Sequence, residues 1–422
     1  MHTELAAGFQ LPFFVSLLIL LALARVLGEI MERLRQPAMI GEIFAGIILG
    51  PSLFDLIQVS PELSVFAEMG VFLLIIMVGM EINISNIISG IRGRNFWTVV
   101  LGFSIPFIGG FAVMLGFFQM SVSETIFIAL CLSITALPVS IRILMDLGKL
   151  NTEIGSKIIA TAIVNDVFAL MILGIALDSK IEMPAIGEFA KMLLWTLLKV
   201  ALFILLVYLA FKAIQRLSNN ENIVREKVSQ FVSLLKSKES NFAIIFVFIL
   251  LFAGIAELIG LHFIVGAFFG AMLLTSELLG KENYKQVEET TRSISMGFLA
   301  PIFFATIGLR VNITELSNLT LMGAILIIAF GSKIIGGYLG GRIGGMSHPE
   351  AYALGIGLNG RGIMELVVAN IALTNGFITD SIFSILVLMG IITTLCTPIL
   401  LKHAFSRINK PEYQDAGEGF RV

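Results

Sequence analysis

Apolar stretches of about 17 residues or more recur along the whole chain, and this repetition restricts what it can fold into. Each is long enough to cross the hydrocarbon core as an α-helix, whereas barrel strands would be about ten residues long with alternating polarity. Composition agrees: of 422 residues 57% are hydrophobic and only 14% charged, against about 25% charged in a soluble domain. The chain is therefore expected to be an all-α integral membrane protein. A formal net charge of -2 says little, because the placement of the charges matters more. Cys131 and Cys396 both fall in apolar stretches, where they read as packing residues and not as a disulfide or metal framework. Glu4, not a basic region, precedes the first stretch, and no small-residue cleavage signal follows it, so no cleaved signal peptide is expected.

A window of about 19 residues gives about thirteen candidate transmembrane spans. Their limits are 11–30, 37–53, 62–80, 95–117, 124–146, 153–177, 186–213, 241–259, 262–279, 293–309, 317–342, 349–374 and 379–404. With the N-terminus outside, the inner loops collect most of the basic residues, among them Arg33, Arg35, Lys149, Lys281, Lys285, Arg292, Lys402 and Lys410. The outer loops hold little beyond Lys180, Lys191 and Arg310. By the positive-inside rule this predicts a multi-pass protein of the cell membrane with its C-terminus in the cytoplasm. The longest polar loop, residues 214–240, reads as a cytoplasmic linker with a surface-lying amphipathic helix, IVREKVSQFVSLLKS.

Once span ends are set aside, few charges remain at depth: Asp166 in span 6, Lys333 in span 11, and Arg361 with Glu365 in span 12. A carboxylate at the bilayer centre costs about 2.5 to 3.5 kcal/mol on insertion scales, so a chain keeps one there for an ion, a proton or a partner charge. Asp166, with Asn165 beside it, lies mid-span in ATAIVNDVFALMILGIAL and is the first candidate. Arg25, Lys157 and Lys199 lie near span ends and are expected to snorkel to the interface. The central four cannot, so they are expected to share a polar interior.

Two spans also contain helix breakers at that depth. Span 5 reads FIALCLSITALPVSIRILMDLG, with Pro138 inside it and Ser133 and Thr135 just before; span 12 reads YALGIGLNGRGIMELVVANIAL, with glycines around Asn359 and Arg361. Irregular backbone survives in a bilayer only where protein buries it or a cavity meets it, and paired interrupted helices in matching places of two halves mark a transporter's substrate site. Broken span 5 sits within spans 4 to 6 and broken span 12 within spans 11 to 13, and each triplet starts on the opposite side, so the repeats are expected to be inverted.

These segments resemble the monovalent cation:proton antiporters, in particular the branch with Kef-type potassium efflux proteins and plant CHX exchangers. The likeness is carried by RLRQPAMIGEIFAGIILGPS, FLLIIMVGMEIN, ALPVSIRILMDLGKLNTEIG with IVNDV, FFATIGLRVN, GSKIIGGYLGGRIGG and LNGRGIMELVVANI. It implies an inverted-repeat antiporter fold with two broken crossing helices, and a homodimer in the membrane lipid. Residues 1–94 would be scaffold and dimer helices and 95–178 core helices; 179–316 a linker helix, the cytoplasmic loop and more scaffold; 317–404 core again; and 405–422 a short cytoplasmic tail. In such proteins the Asp matching Asp166 binds a monovalent cation or a proton in turn, a base at the place of Lys333 lies nearby, and the position of Arg361 lies by the second break. Many sodium-transporting relatives carry two adjacent carboxylates where this chain has Asn165 and Asp166, and another branch has Glu where this chain has Thr161. Both forms of the usual salt-bridge partner for Lys333 are thus missing. Kef-type proteins continue into a nucleotide-binding domain, whereas this chain stops soon after Pro411, so nucleotide gating would need a separate regulatory subunit.

The expected function is exchange of Na+ or K+ for H+. Asp166 is neutral with a proton and neutral as a pair with a cation, while the bare carboxylate is costly to move through a hydrophobic barrier, so only loaded carriers cross. Thr135, Ser133, exposed carbonyls at the first break and Asn165 would replace the ion's hydration oxygens. One titrating carboxylate gives electroneutral exchange of one for one; loss of a proton from Lys333 on cation binding would make it electrogenic. Arg361 and Glu365, four apart, are expected to pair as structural support. A sodium-coupled symporter or a channel-like potassium efflux component is the alternative, although no TVGYG-like filter sequence is present. None of the four histidines sits in a nucleophile constellation, so no enzyme is expected, nor any cofactor or nucleic-acid partner. His262 and His348 read as satisfied interfacial residues.

Overall fold

The computed structural model describes residues 11–82, 93–150, 152–178, 198–199, 202–212, 238–259, 261–275, 279–313 and 318–408. The expected amphipathic helix of the long loop, the start of span 7 and most of the tail lie outside these residues. The regular elements among the described residues are all helical. In chain order they are α1 (Phe13–Arg33), α2 (Ala38–Leu49), α3 (Pro61–Glu81), α4 (Asn95–Gly116), α5 (Val122–Ser133), α6 (Leu137–Asp146) and α7 (Glu153–Asp178). Then come α8 (Leu202–Lys212), α9 (Lys238–Ile259), α10 (Phe263–Met272), α11 (Lys281–Ile294), α12 (Ala300–Arg310), α13 (Leu319–Ile343), α14 (His348–Gly357), α15 (Ile363–Thr374) and α16 (Asp380–Ser406).

Local chemistry sets most of these limits. Ser121 and Glu124 form a capping box that starts α5, and Ser347 with Glu350 does the same for α14. Ser60, Asn318 and Thr379 each accept a hydrogen bond from a backbone N–H in the first turn of α3, α13 and α16. Among the described residues eight helical stretches are long and apolar enough to cross a membrane, and α2, α5, α8, α10 and α15 are shorter apolar helices. One differs from expectation: the stretch Glu282–Arg310 is a single 29-residue span. Lys285 and Arg292, expected in an inner loop, lie on α11, which runs through a π-turn at Ser295–Leu299 straight into α12. Pro301 follows just after this π-turn, in the first turn of α12, and does not end the helix.

Outward faces of α1, α9 and α13 expose Phe14, Leu18, Val247 and Ile327, an apolar exterior suited to lipid. Inside, α1 packs on α2, α2 on α12, α3 on α10 and α12, and α9 on α10. A second set joins α4 to α5 and α13, α13 to α14, α14 and α15 to α16, and α7 to α4, α5, α6 and α14. Between the sets the contacts are thin, chiefly α7 with α10, α12 with α16 and α3 with α15. Within the second set the order of elements repeats: a long helix, two half-helices and a long helix, first over α4 to α7 and again over α13 to α16.

Lipid tails give apolar side chains no reason to prefer one another, so membrane helices associate by close backbone approach at small residues. Gly46 of α2 shows how close. A Cβ there would lie 1.9 Å from the Ala305 carbonyl oxygen of α12, an atom that cannot swing aside. Gly46→Ala is therefore expected to cost about 1 to 3 kcal/mol or more as overpacking. Thermal melting in detergent checks it; an unchanged melting temperature would mean that the helices do not meet this closely.

Candidate ion-binding site

The first interruption covers Ile134, Thr135 and Ala136, between α5 and α6; the second covers Leu358 to Gly362, between α14 and α15. Pro138 does not itself break the chain. It lies in the first turn of α6, where its missing N–H costs nothing. The two interrupted segments cross. The Ala136 N–H donates to the Gly360 carbonyl at 2.8 Å, and the Thr135 hydroxyl donates to the Leu358 carbonyl at 3.1 Å. Glycine is needed for this approach: a Cβ at Gly362 would lie 2.7 Å from the Ala136 Cβ.

Ending α5 in the protein interior strands its last carbonyls, which point their negative dipole ends into the crossing. Two cations answer them. Arg361 donates to the carbonyls of Cys131, Ile134 (3.0 Å) and Leu132 (2.8 Å). Lys333 donates to the Ser133 carbonyl, to Gly102 O of α4 at 3.2 Å and to Thr135 Oγ1 at 2.8 Å. Carbonyls 131 to 134 are all satisfied this way, and three acceptors match the three N–H donors of an ammonium. Asn359 closes the other half-helix, donating to Gly355 O at 3.0 Å. Glu365 stands one turn beyond Arg361 with its Oε2 3.7 Å from Nε, both side chains buried. The expected pair is present, and Arg361 also caps a helix that sequence spacing did not connect with it.

Asn165 and Asp166 are fully buried on α7. Both Asp166 oxygens and both polar atoms of the Asn165 amide lack a hydrogen-bond partner within the protein, as does the Thr161 hydroxyl on the same helix. Thr161 faces Gly102, whose carbonyl accepts from Lys333. Asp166 is within coulombic reach of Lys333. Uncommitted carboxylate, amide and hydroxyl oxygens buried together are a donor set for a hard monovalent cation. The two other hydroxyls expected to join it also make bonds within the protein: Ser133 Oγ donates to Ala129 O at 2.7 Å, and Thr135 accepts from Lys333 and donates to Leu358, which leaves an acceptor lone pair on each oxygen.

The sequence reading also missed a buried carboxylate. Glu42 of α2 is 4% exposed and its Oε1 lies 3.6 Å from Arg25 Nη1 of α1. Arg25, expected only to snorkel, is thus the counter-ion of a buried acid. The missed signal was an acid in the first turns of a span that tolerates few charges. Lys157, by contrast, pairs locally with Glu153 at 2.7 Å, as an interfacial lysine should. His262 caps α10, and His348 Nδ1 lies 2.5 Å from the Tyr338 hydroxyl, so both are satisfied as expected.

A family model described as "Sodium/hydrogen exchanger, transmembrane" matches residues 17–407. Among similar proteins are the Na(+)/H(+)-K(+) antiporter GerN of Bacillus cereus, 26% identical over 95% of this chain and 98% of its own. The Na(+)/H(+) antiporter NhaS4 of Synechocystis is 31% identical, covering 93% of this chain and 97% of its own. Cation/H(+) antiporter 20 of Arabidopsis thaliana is 29% identical over 92% of this chain, which spans 48% of the plant protein. The fold is similar to that of the sodium proton antiporter MjNhaP1 from Methanocaldococcus jannaschii, with a TM-score of 0.61 at 17% identity over 92% of this chain and 96% of that one. With two interrupted helices crossing beside an uncompensated Asn-Asp pair, and a family match over nearly its whole length, the chain belongs to the transmembrane sodium/hydrogen exchanger family.

Proposed function

We propose that this protein is a secondary active antiporter that exchanges Na+ or K+ for H+ at Asp166. The observation that carries this reading is the buried Asp166 carboxylate, whose two oxygens have no donor from the protein. A proton or a cation neutralises it, and the bare charge stays where it is because hydrocarbon opposes its transfer. Asp166, Asn165 and Thr161 supply the ligands, while Lys333, Arg361, Asn359 and Glu365 hold the crossing.

Stoichiometry follows from Lys333. Its three N–H donors each have an acceptor: the Ser133 carbonyl and the Thr135 hydroxyl at the break and the Gly102 carbonyl of α4. With Lys333 engaged at all three donors and Asp166 as the carboxylate that takes proton or cation in turn, the reading is one cation for one proton. The second helix set, α4 to α7 with α13 to α16, would move as a core against α1 to α3 and α9 to α12, since the contacts between the two are thin. Thirteen crossings, the N-terminus outside, the C-terminus in the cytoplasm and a homodimer complete the reading.

Proteoliposomes tested with Na+, K+ and Li+ separately, at zero and at an imposed potential of about 100 mV, distinguish the cases. One net charge moved through 100 mV carries about 2.3 kcal/mol, which is about fiftyfold in the final ion gradient. The electroneutral exchanger reaches the same gradient with and without potential; a shift of that size would overturn the one-for-one assignment. Solute-coupled sodium uptake without proton movement would favour the symporter instead.

A further inference from the structure

Where the turn after α1 meets the ends of α6 and α16 there is a cavity of about 520 Å³. Its polar wall is basic: Arg35, Arg142, Lys149 and Lys402 converge on it, with Asp146 the sole lining acid among the described residues. Glu32 engages Arg142 at 3.4 Å from outside this wall, which still leaves cations in excess. The rest of the wall is apolar. Ile143 and Phe405 form part of it, and Leu34 and Ile399, 64% and 71% exposed, carry it out onto the apolar exterior. Lys149 Nζ lies 5.7 Å from the Phe405 ring centre, a cation held at the boundary of the two zones. Gln36 adds a buried carboxamide oxygen with no partner within the protein, suited to a headgroup hydroxyl.

Arg35 is also held at an unusual backbone angle. Its φ is +59°, in the left-handed region, where the turn after a helix ordinarily has glycine. A segment needing only to turn would lose nothing by glycine. Arg35 nonetheless holds this position and lines the cavity wall.

We propose that this cavity binds the phosphate headgroup of an anionic phospholipid, with an acyl chain lying along Leu34 and Ile399. A phosphodiester with a fatty tail matches both zones: clustered Lys and Arg for the charge, and an apolar exit that a free anion has no use for. The site joins the α1–α2 turn to α6 and α16, which the antiport reading assigns to scaffold and moving core. Resting on that reading, an occupied site tethers one to the other and slows exchange; the binding site itself does not depend on it.

The test uses purified full-length protein in neutral detergent, titrated with dioleoyl phosphatidylglycerol, dioleoyl phosphatidylcholine or inorganic phosphate while thermal unfolding is followed. Phosphatidylglycerol is expected to raise the melting temperature in a saturable way, and the other two are not. Lys149→Gln and Lys402→Gln should each weaken the apparent affinity about fivefold, the usual effect of losing one cation near an anionic surface. Arg35→Gly separates structure from binding: it should melt no lower than the wild type without lipid and yet lose most of the lipid response. Asp166→Asn should respond like the wild type, so a failure of the transport reading leaves this result untouched. Equal stabilisation by phosphatidylcholine, equal stabilisation by phosphate, or an undiminished lipid response in all three cavity variants would each overturn the proposal.

Discussion

Asp166→Asn removes cation-driven proton movement, down to the level of empty liposomes, without destabilising the protein. The two parts of this result have one physical origin. Both carboxylate oxygens are buried and receive no hydrogen bond from the protein, so ionised Asp166 is a cost to the fold that a bound proton or cation relieves. Asparagine keeps the shape and removes the charge. The variant should melt at or above the wild-type temperature in cation-free buffer, and it has nothing to exchange. A binding measurement sharpens the point: a site-specific cation at about 100 times its Kd stabilises the wild type by about 2.7 kcal/mol, and this gain should vanish in the variant. An Asp166→Asn protein that still gains stability from Na+ or K+ would move the ion site elsewhere; one that simply unfolds would show the carboxylate to be structural.

The fold class and the centre of the site were legible because a membrane makes charge and backbone irregularity conspicuous. Asp166, Lys333, Arg361 and Glu365 stand out against apolar neighbours, and Gly360 to Gly362 announce a break where the structure has one. Partnerships were less legible. Arg361 meets the carbonyls of residues 131, 132 and 134, more than 220 positions away, and a carbonyl has no residue-type signature for a pattern to detect. Thr135 stood out as a hydroxyl near a break, but its bonds to Lys333 and Leu358, 198 and 223 positions away, were not readable from the sequence. Glu42 escaped notice for a related reason: five residues into its span it resembles an interfacial acid, and Arg25, its partner, belongs to the preceding helix. Lys333 reverses the case. It looked deprived of its usual salt-bridge partner, yet the stranded Ser133 carbonyl of α5, with the Gly102 carbonyl and the Thr135 hydroxyl, takes that place.

The same geometry ranks the two members of the second charged pair. Arg361→Met takes donors from three buried carbonyls and leaves Glu365 as a charge with no counter-ion. Breaking a buried pair in this way costs about 3 to 5 kcal/mol, and each charge-assisted hydrogen bond lost adds about 1.5 to 3 kcal/mol. Folded protein is expected to be recovered poorly, if at all. Glu365→Gln removes the other charge, but Arg361 keeps its carbonyls and the negative end of α5, so the loss should stay near the helix-dipole scale of about 1 to 2 kcal/mol. Combining the two changes relieves the stranded carboxylate and leaves the uncapped helix, which places the double variant between the singles and nearer Arg361→Met. Melting curves for the three variants in one detergent give the order directly. Equal losses for the two single variants would mean that the ion pair, and not the cap, is what Arg361 contributes; recovery of wild-type stability in the double variant would mean the same, because the carbonyls of α5 would then have needed no cation.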